Sequence, residues 1–306
     1  MRKRAGLAAL LAVAVSAAVL GGPSGSTAYA SETTGAADAA EAAELRVGTY
    51  NIQVGRPLAG FREGIAALKA RVDVAGLQEI AGSDRMAVLT EDEDWEVYRP
   101  PTLKQVPVVW DRSAFVLLGG RESLLAEGRH VEDTVSGMTW KKTTYAAVVR
   151  LRHRATQQRI SVVNVHLLNG ATRSGLPRPG VPLRHDYYVE QTRSLKHLAA
   201  EETAAGFEVF VTGDFNINLA ADAEVQRRRH PFRRFASVGM TSVWQGRRLF
   251  AHGTHIDPVC RPGVQVCGAY MDGVWSRLPS TDGEVLTDVE QSDHYPAVAT
   301  YLVPAA

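Results

Sequence analysis

The sequence predicts an α/β fold in which two β-sheets pack face to face with helices outside, a four-layer sandwich. Two observations carry this. Short apolar runs rich in Val, Ile and Leu recur along the chain, separated by only a few helical patterns, one of them long. After an N-terminal segment of different character, about 260 residues remain, which suits one large domain and leaves no room for a second sizeable one. No internal repeat is apparent.

The N-terminus has its own logic. Arg2, Lys3 and Arg4 precede an apolar run over residues 5–20, and a polar stretch then ends Ala28-Tyr29-Ala30. A basic segment, a short hydrophobic core and a small-x-small site read as a secretory signal peptide over residues 1–30, cleaved after Ala30. At 16 residues the run is shorter than the roughly 20 that span a bilayer as a helix, so a retained anchor is the weaker reading. Residues 31–44, rich in Ala and Glu, read as a flexible lead-in, and residues 45–306 as the folded domain.

Within that domain residues 45–51 form a strand, with Val47 and Thr49 alternating against Arg46 and Gly48. Phe61, Ile65 and Leu68 fall on one face of a helix. Strands follow at 72–78 and 106–111. Those at 144–151 and 160–166 pair as a hairpin around the polar turn 154–159. Residues 187–204 form a helix with Tyr188, Thr192, Leu195 and Leu198 on one side, ended by Gly206. Strands at 208–212, 269–275 and 295–302 complete the set.

Composition excludes little but sets conditions. Removing residues 1–30 takes away three basic side chains and no acidic ones, leaving 31 basic against 33 acidic. A near-neutral chain has no global field drawing it onto nucleic acid, so any attraction comes from local patches. The two cysteines, Cys260 and Cys267, read as a disulfide closing a small loop in an exported protein, and their spacing matches no common zinc motif.

The chemistry sits where apolar runs end. Asn51 lies in TYNIQ, Glu79 in GLQEI, His166 in VNVHL, Asp214 and Asn216 in TGDFN, Asp272 in YMDGVWS, and Asp293 and His294 in SDHYP. Carboxylates, amides and imidazoles delivered from several strand ends suit metal-assisted phosphoester cleavage. A hard cation must be held, a phosphate clamped and protons moved.

These blocks, in this order, resemble the endonuclease/exonuclease/phosphatase superfamily, which includes pancreatic-type deoxyribonucleases, abasic-site endonucleases, inositol-polyphosphate phosphatases and bacterial sphingomyelinases. The resemblance runs from about Leu45 to Leu302, and TGDFN followed by SDHYP is its strongest part. It implies the four-layer sandwich with two mixed sheets. It also implies a magnesium site, manganese substituting, held by Glu79 with Asn51 and Asp293. Asp214 would orient or deprotonate the attacking water and Asn216 would hydrogen-bond the phosphate. His166 would stabilise the leaving oxygen. His294, fixed by Asp272, would contact a non-bridging oxygen or act as a base. One departure is that Asp272 is followed by Gly273 where the family usually has Tyr or His.

The family's phosphate-gripping Arg has no clear counterpart; the nearest cations are Lys141 and Lys142. Arg173 and Arg184 lie in a stretch, 169–185, that reads as a long loop walling the cleft. Arg227, Arg228 and Arg229 begin RRRHPFRR, which is either a solvated face or a contact for phosphate backbones. The expectation is a secreted, monomeric, magnesium-dependent phosphodiesterase, a nuclease acting on extracellular nucleic acid. The alternatives are a phosphatase or sphingomyelinase-type phospholipase of the same superfamily, or a non-catalytic secreted binding protein. No exposed aromatic hairpin of the membrane-active kind is legible, which counts against lipid.

Overall fold

The computed structural model describes residues 42–102, 104–247, 253–256 and 268–306. The signal-peptide reading, the lead-in up to residue 41, and the Cys260–Cys267 pair lie outside the described residues.

Sixteen strands and five helices occur among the described residues, and two six-stranded sheets dominate. The chain enters through β1 (Ala43–Asn51), α1 (Leu58–Lys69), β2 (Val74–Gln78), α2 (Ser83–Thr90), β3 (Trp95–Tyr98) and β4 (Val108–Asp111). It continues through β5 (Phe115–Ala126), a hairpin of β6 (Arg129–Glu132) and β7 (Met138–Lys141), then β8 (Thr144–His153) and β9 (Arg159–His166). A second small hairpin, β10 (Thr172–Arg173) and β11 (Leu176–Pro177), leads into α3 (Pro182–Ala204) and β12 (Glu208–Asp214). After α4 (Leu219–Val225), α5 (Pro231–Ala236) and β13 (Thr241–Ser242) come β14 (Asp272–Ser276), β15 (Ser280–Val285) and β16 (Ala297–Val303).

One sheet runs β15-β16-β1-β2-β4-β3 and the other β13-β14-β12-β9-β8-β5. Both are mixed: β1 and β2 are parallel, as are β9 and β12, while the other pairings are antiparallel. The sheets face one another, β1 and β2 lying over β12, β14 and β9. Val47, Val74, Val162, Phe210 and Val274 fill the space between them, all fully buried. Helix α1 covers the outer face of the first sheet through Phe61, Ile65 and Leu68, and α3 packs on the second through Tyr188, Leu195 and Leu198.

A polar layer interrupts this apolar interface. The Gln78 amide donates to Asn164 Oδ1 at 2.7 Å, and the Thr212 hydroxyl donates to the same oxygen at 3.3 Å. The Asn164 amide donates to the carbonyls of Leu77 and Pro107. All three side chains are fully buried, so each needs its partners. Gly76 leaves the room: a Cβ there would lie 2.2 Å from Thr212 Oγ1 and 2.3 Å from Asn164 Oδ1. This layer ties β2 to β9 and β12 just beneath the ends that carry Glu79, His166 and Asp214.

Several elements were not legible. Strand β5, which has no counterpart in the sequence reading, contains Gly119-Gly120. The strand bulges beside Gly119, and Gly120 lies directly against the Tyr98 ring, with no room for a Cβ. The expected loop 169–185 holds the β10–β11 hairpin, and α3 begins at Pro182 rather than Tyr187. Proline at a first helical position is preorganised for that role. The β6–β7 hairpin corrects another expectation: Val135, Met138 and Trp140 on it are 91%, 53% and 56% exposed, an apolar and partly aromatic surface.

Candidate active site

Sheet register assembles the site. Asp214 at the end of β12 pairs with His166 on β9 and with Asp272 on β14, so three adjacent strands present these side chains together. From the facing sheet, Asn51 ends β1 and pairs with Gln78, which places Glu79 beside it. The loop before β16 supplies Asp293 and His294.

Asp214 is the hub. Its Oδ2 accepts from the Asn51 amide at 3.1 Å and lies 3.5 Å from His166 Nε2 and 3.9 Å from His294 Nε2. Its Oδ1 accepts from the Asn216 backbone N–H at 2.8 Å. The carboxylate is almost fully buried, and an ionised group there requires such compensation. The Asn51 amide also donates to Glu79 Oε1 at 3.3 Å, so one side chain bridges the two carboxylates.

His294 Nδ1 lies 2.7 Å from Asp272 Oδ2. Burial alone would lower the His294 pKa, but the Asp272, Asp214 and Asp293 carboxylates outweigh it and push it up to about 10. Burial raises Asp272, opposed by His294. The pair therefore keeps a proton, and Nε2 faces Asp214 as a donor.

Three of the six non-glycine residues with positive φ among the described residues ring this site: Gln53 (49°), Glu79 (64°) and Asn216 (49°). Left-handed backbone at such residues costs on the order of 1–3 kcal/mol each and persists where the surroundings enforce it. At Asn216 the chain turns instead of continuing extended from β12. An Asx turn forms back to Asp214, and the Asn216 amide donates to the Leu167 carbonyl at 2.9 Å, which commits one of its donors.

The donor chemistry fits a hard divalent cation. Glu79 and Asp293 are only part-buried and offer carboxylate oxygens, with the Asn51 amide beside them, the ligand types such ions take. Two groups of His and Asp atoms lie within 4.8 Å of one another, His255–Asp293–His294 and Asp214–Asp272–His294. Both groups contain His294, and a protonated imidazole has no lone pair to give, so neither is a complete cage by itself. Glu79 belongs to neither group and joins the centre through Asn51.

Some residues of the site carried no sequence signal strong enough to find them. The Gln53 amide donates to Asp293 Oδ2 at 2.9 Å, and its backbone N–H donates to Asn51 Oδ1. The Ser292 hydroxyl donates to the Asn51 carbonyl at 2.8 Å. Thr254 Oγ1 accepts the N–H groups of Met271 and Asp272. The His255 ring packs edge-on against His294 at 4.6 Å between centroids.

The expected substrate-binding cations divide. Lys142 is exposed and, with His166, lines a cavity of about 240 Å³ that also meets Tyr187 and Gln191. Arg173 is exposed on β10, next to Thr172, whose hydroxyl donates to the Asn216 carbonyl at 3.4 Å. Arg227, Arg228 and Arg229 are exposed but line a different cavity from that of His166. Arg184 is not available to a substrate. It is buried in the first turn of α3, donating from Nε to the Glu132 carbonyl and from Nη1 to the Asn169 carbonyl, both at 2.8 Å.

Comparison with known families matches residues 48–294 to the "Endonuclease/Exonuclease/phosphatase family". The chain belongs to that family. Its members hydrolyse phosphoric esters and generally use a divalent metal. No curated protein matches. Among solved structures, an endonuclease/exonuclease/phosphatase family protein from Bacteroides thetaiotaomicron is similar with a TM-score of 0.63 at 15% identity, over 87% of this chain and 97% of that one. A mannosyl-6-phosphatase from the same organism gives 0.61 at 13% identity, covering 83% and 98%. D. rerio TDP2 with a single-strand DNA product gives 0.58 at 16% identity, covering 84% and 98%. At these identities the likeness is one of fold.

Proposed function

We propose that this chain is a secreted, magnesium-dependent phosphodiesterase, and specifically a nuclease acting on extracellular nucleic acid. The observation that carries the catalytic part is Asp214, a buried carboxylate with the Asn51 amide at 3.1 Å and imidazole nitrogens of His166 and His294 at 3.5 and 3.9 Å.

Glu79 and Asp293, with Asn51, would hold the cation. Bound there, it supplies Lewis-acid polarisation of a phosphate oxygen. Asp214 orients the attacking water and accepts its proton, its position fixed by Asn51 and the Asn216 backbone. His294, kept protonated by Asp272, donates from Nε2 to a non-bridging phosphate oxygen. That makes it an electrostatic stabiliser rather than a base. His166, part-exposed at the cavity it shares with Lys142, protonates the leaving oxygen. Lys142 gives a point charge where a bidentate Arg would grip. Export rests on the N-terminal pattern of residues 1–30.

A second reading, a lipid phosphodiesterase, is favoured by the exposed Val135, Met138 and Trp140 of the β6–β7 hairpin, whose last residue, Lys141, reaches the His166 cavity. The test is a substrate panel with purified mature protein and Mg²⁺: plasmid DNA, RNA, sphingomyelin vesicles and inositol phosphates. Cleavage of the polynucleotides supports the nuclease. Turnover of vesicles alone selects the lipid reading.

A further inference from the structure

The α3–α5 face carries positive charge that the catalytic centre does not use. Arg228, Arg233, Arg234 and Lys196 line a cavity of about 530 Å³ together with only Ala236 and Ser237. No carboxylate lines it. Of the arginines at 227–234, only Arg229 has an acidic partner among the described residues, the exposed Asp186 at 2.8 Å. Arg234 is part-buried and braces the wall, donating from Nε to the Arg229 carbonyl at 2.8 Å. Burial lowers its pKa, and the neighbouring Arg193 and Arg229 add to that, which is the field of a crowded cation cluster. Holding like charges together without counter-charge is unfavourable unless an anion is there to meet them.

The cluster continues toward the active site. Arg228 also lines a second cavity of about 400 Å³ with Arg227, Arg229, His185, His230 and Pro177. Pro177 pairs across the small hairpin with Thr172, which bonds to the Asn216 carbonyl. Arg173 stands next to it. The hairpin is seated firmly, because Gly175 lies so close to α4 that a Cβ there would sit 2.7 Å from the Ala221 carbonyl oxygen.

The geometry points to an exosite for the phosphates of a polynucleotide strand, running from the Asn216 edge of the centre past Arg173 and Arg228 to the pocket of Lys196 and Arg233. This rests on the nuclease reading and deepens it: the strand is held away from the scissile phosphate as well as at it. A small phosphoester reaches only the centre and ignores the track.

The test uses Lys196→Ala/Arg233→Ala, which leaves the bracing Arg234 in place. Binding of a fluorescent single-stranded 20-mer DNA is followed by anisotropy in EDTA across a salt series. Hydrolysis of bis(p-nitrophenyl) phosphate with Mg²⁺ is measured in parallel, with circular dichroism to confirm the fold. The exosite predicts roughly tenfold weaker DNA binding at low salt and a log–log salt slope shallower by about 1.4, from about 0.7 per phosphate contact on a single strand. The small-ester rate stays as in the wild type. If the variant binds DNA like the wild type at every salt, while the wild type cleaves polynucleotide, the exosite is wrong and the nuclease stands. If the wild type neither binds nor cleaves polynucleotide but hydrolyses another phosphoester, both fall together.

Discussion

Gly76→Ala offers a sharp test of how the two sheets are held beneath the site. The added methyl would sit 2.2 Å from Thr212 Oγ1 and 2.3 Å from Asn164 Oδ1. Neither atom can swing away freely. Asn164 is pinned by its amide bonds to the Leu77 and Pro107 carbonyls at 2.8 and 3.0 Å, and its oxygen takes the Gln78 amide at 2.7 Å. Relief requires either moving β2 or rotating Thr212 and Asn164 out of their bonds. Overpacking of a rigid core costs about 1–3 kcal/mol, and each buried hydrogen bond left unmade adds about 1–3 kcal/mol. The total is about 3–5 kcal/mol, a fall in Tm on the order of 10 °C for a domain of this size. Urea titration and a thermal scan, both by circular dichroism, read it directly. An alanine variant within about 1 kcal/mol of wild type would refute the claim that this layer is tightly packed and fully bonded.

Other outcomes follow from the same geometry. His166→Ala and His294→Ala should each cost roughly 10²-fold or more in kcat, the scale of a positioned proton donor; two wild-type rates would make both histidines structural. Arg184→Ala should lose about 2–6 kcal/mol of stability, because the carbonyls of Glu132 and Asn169 each lose a buried donor at about 1–3 kcal/mol. The activity per folded molecule should be kept, and a selective loss of kcat/KM with unchanged stability would restore Arg184 to the substrate. The His185 Nε2 lies 2.9 Å from His230 Nε2. Burial first, then His230 and Arg229, hold the His185 pKa below its ordinary 6.5, with Arg227 adding and Asp186 opposing. Below pH 6.5 the unfolded chain therefore binds the proton that the folded one resists, and stability falls as the pH drops. The Tm of His185→Gln should depend less on pH between 7 and 5 than that of wild type, and parallel curves would count against the pair.

The catalytic end of the fold was largely legible because its polar residues interrupt apolar strands. Asn51, Glu79, His166, Asp214 and Asp272 stand at strand ends that register then aligns. What was hidden depends on distant chain. Ser292 reaches the Asn51 carbonyl across 241 residues, and Gln53 reaches Asp293 across 240. No local pattern encodes such contacts. Arg184 reads as a loop cation if the helix is started at Tyr187, but α3 begins at Pro182 and takes Arg184 into its first turn. Its burial follows from the turn of α3 that Glu132 caps. No local pattern marks a hairpin around Trp140, and only the fold determines that it faces solvent.

The central claim is that Asp214, with the cation site of Glu79 and Asp293, forms one phosphoester-cleaving centre. The most direct measurement is the rate of bis(p-nitrophenyl) phosphate hydrolysis by wild type and by Asp214→Asn, each with Mg²⁺ and with excess EDTA, the fold checked by circular dichroism. The account predicts loss of wild-type turnover in EDTA and a fall of roughly 10³-fold in the folded variant with Mg²⁺. Undiminished hydrolysis in EDTA, or a folded Asp214→Asn protein with the wild-type rate, would contradict it.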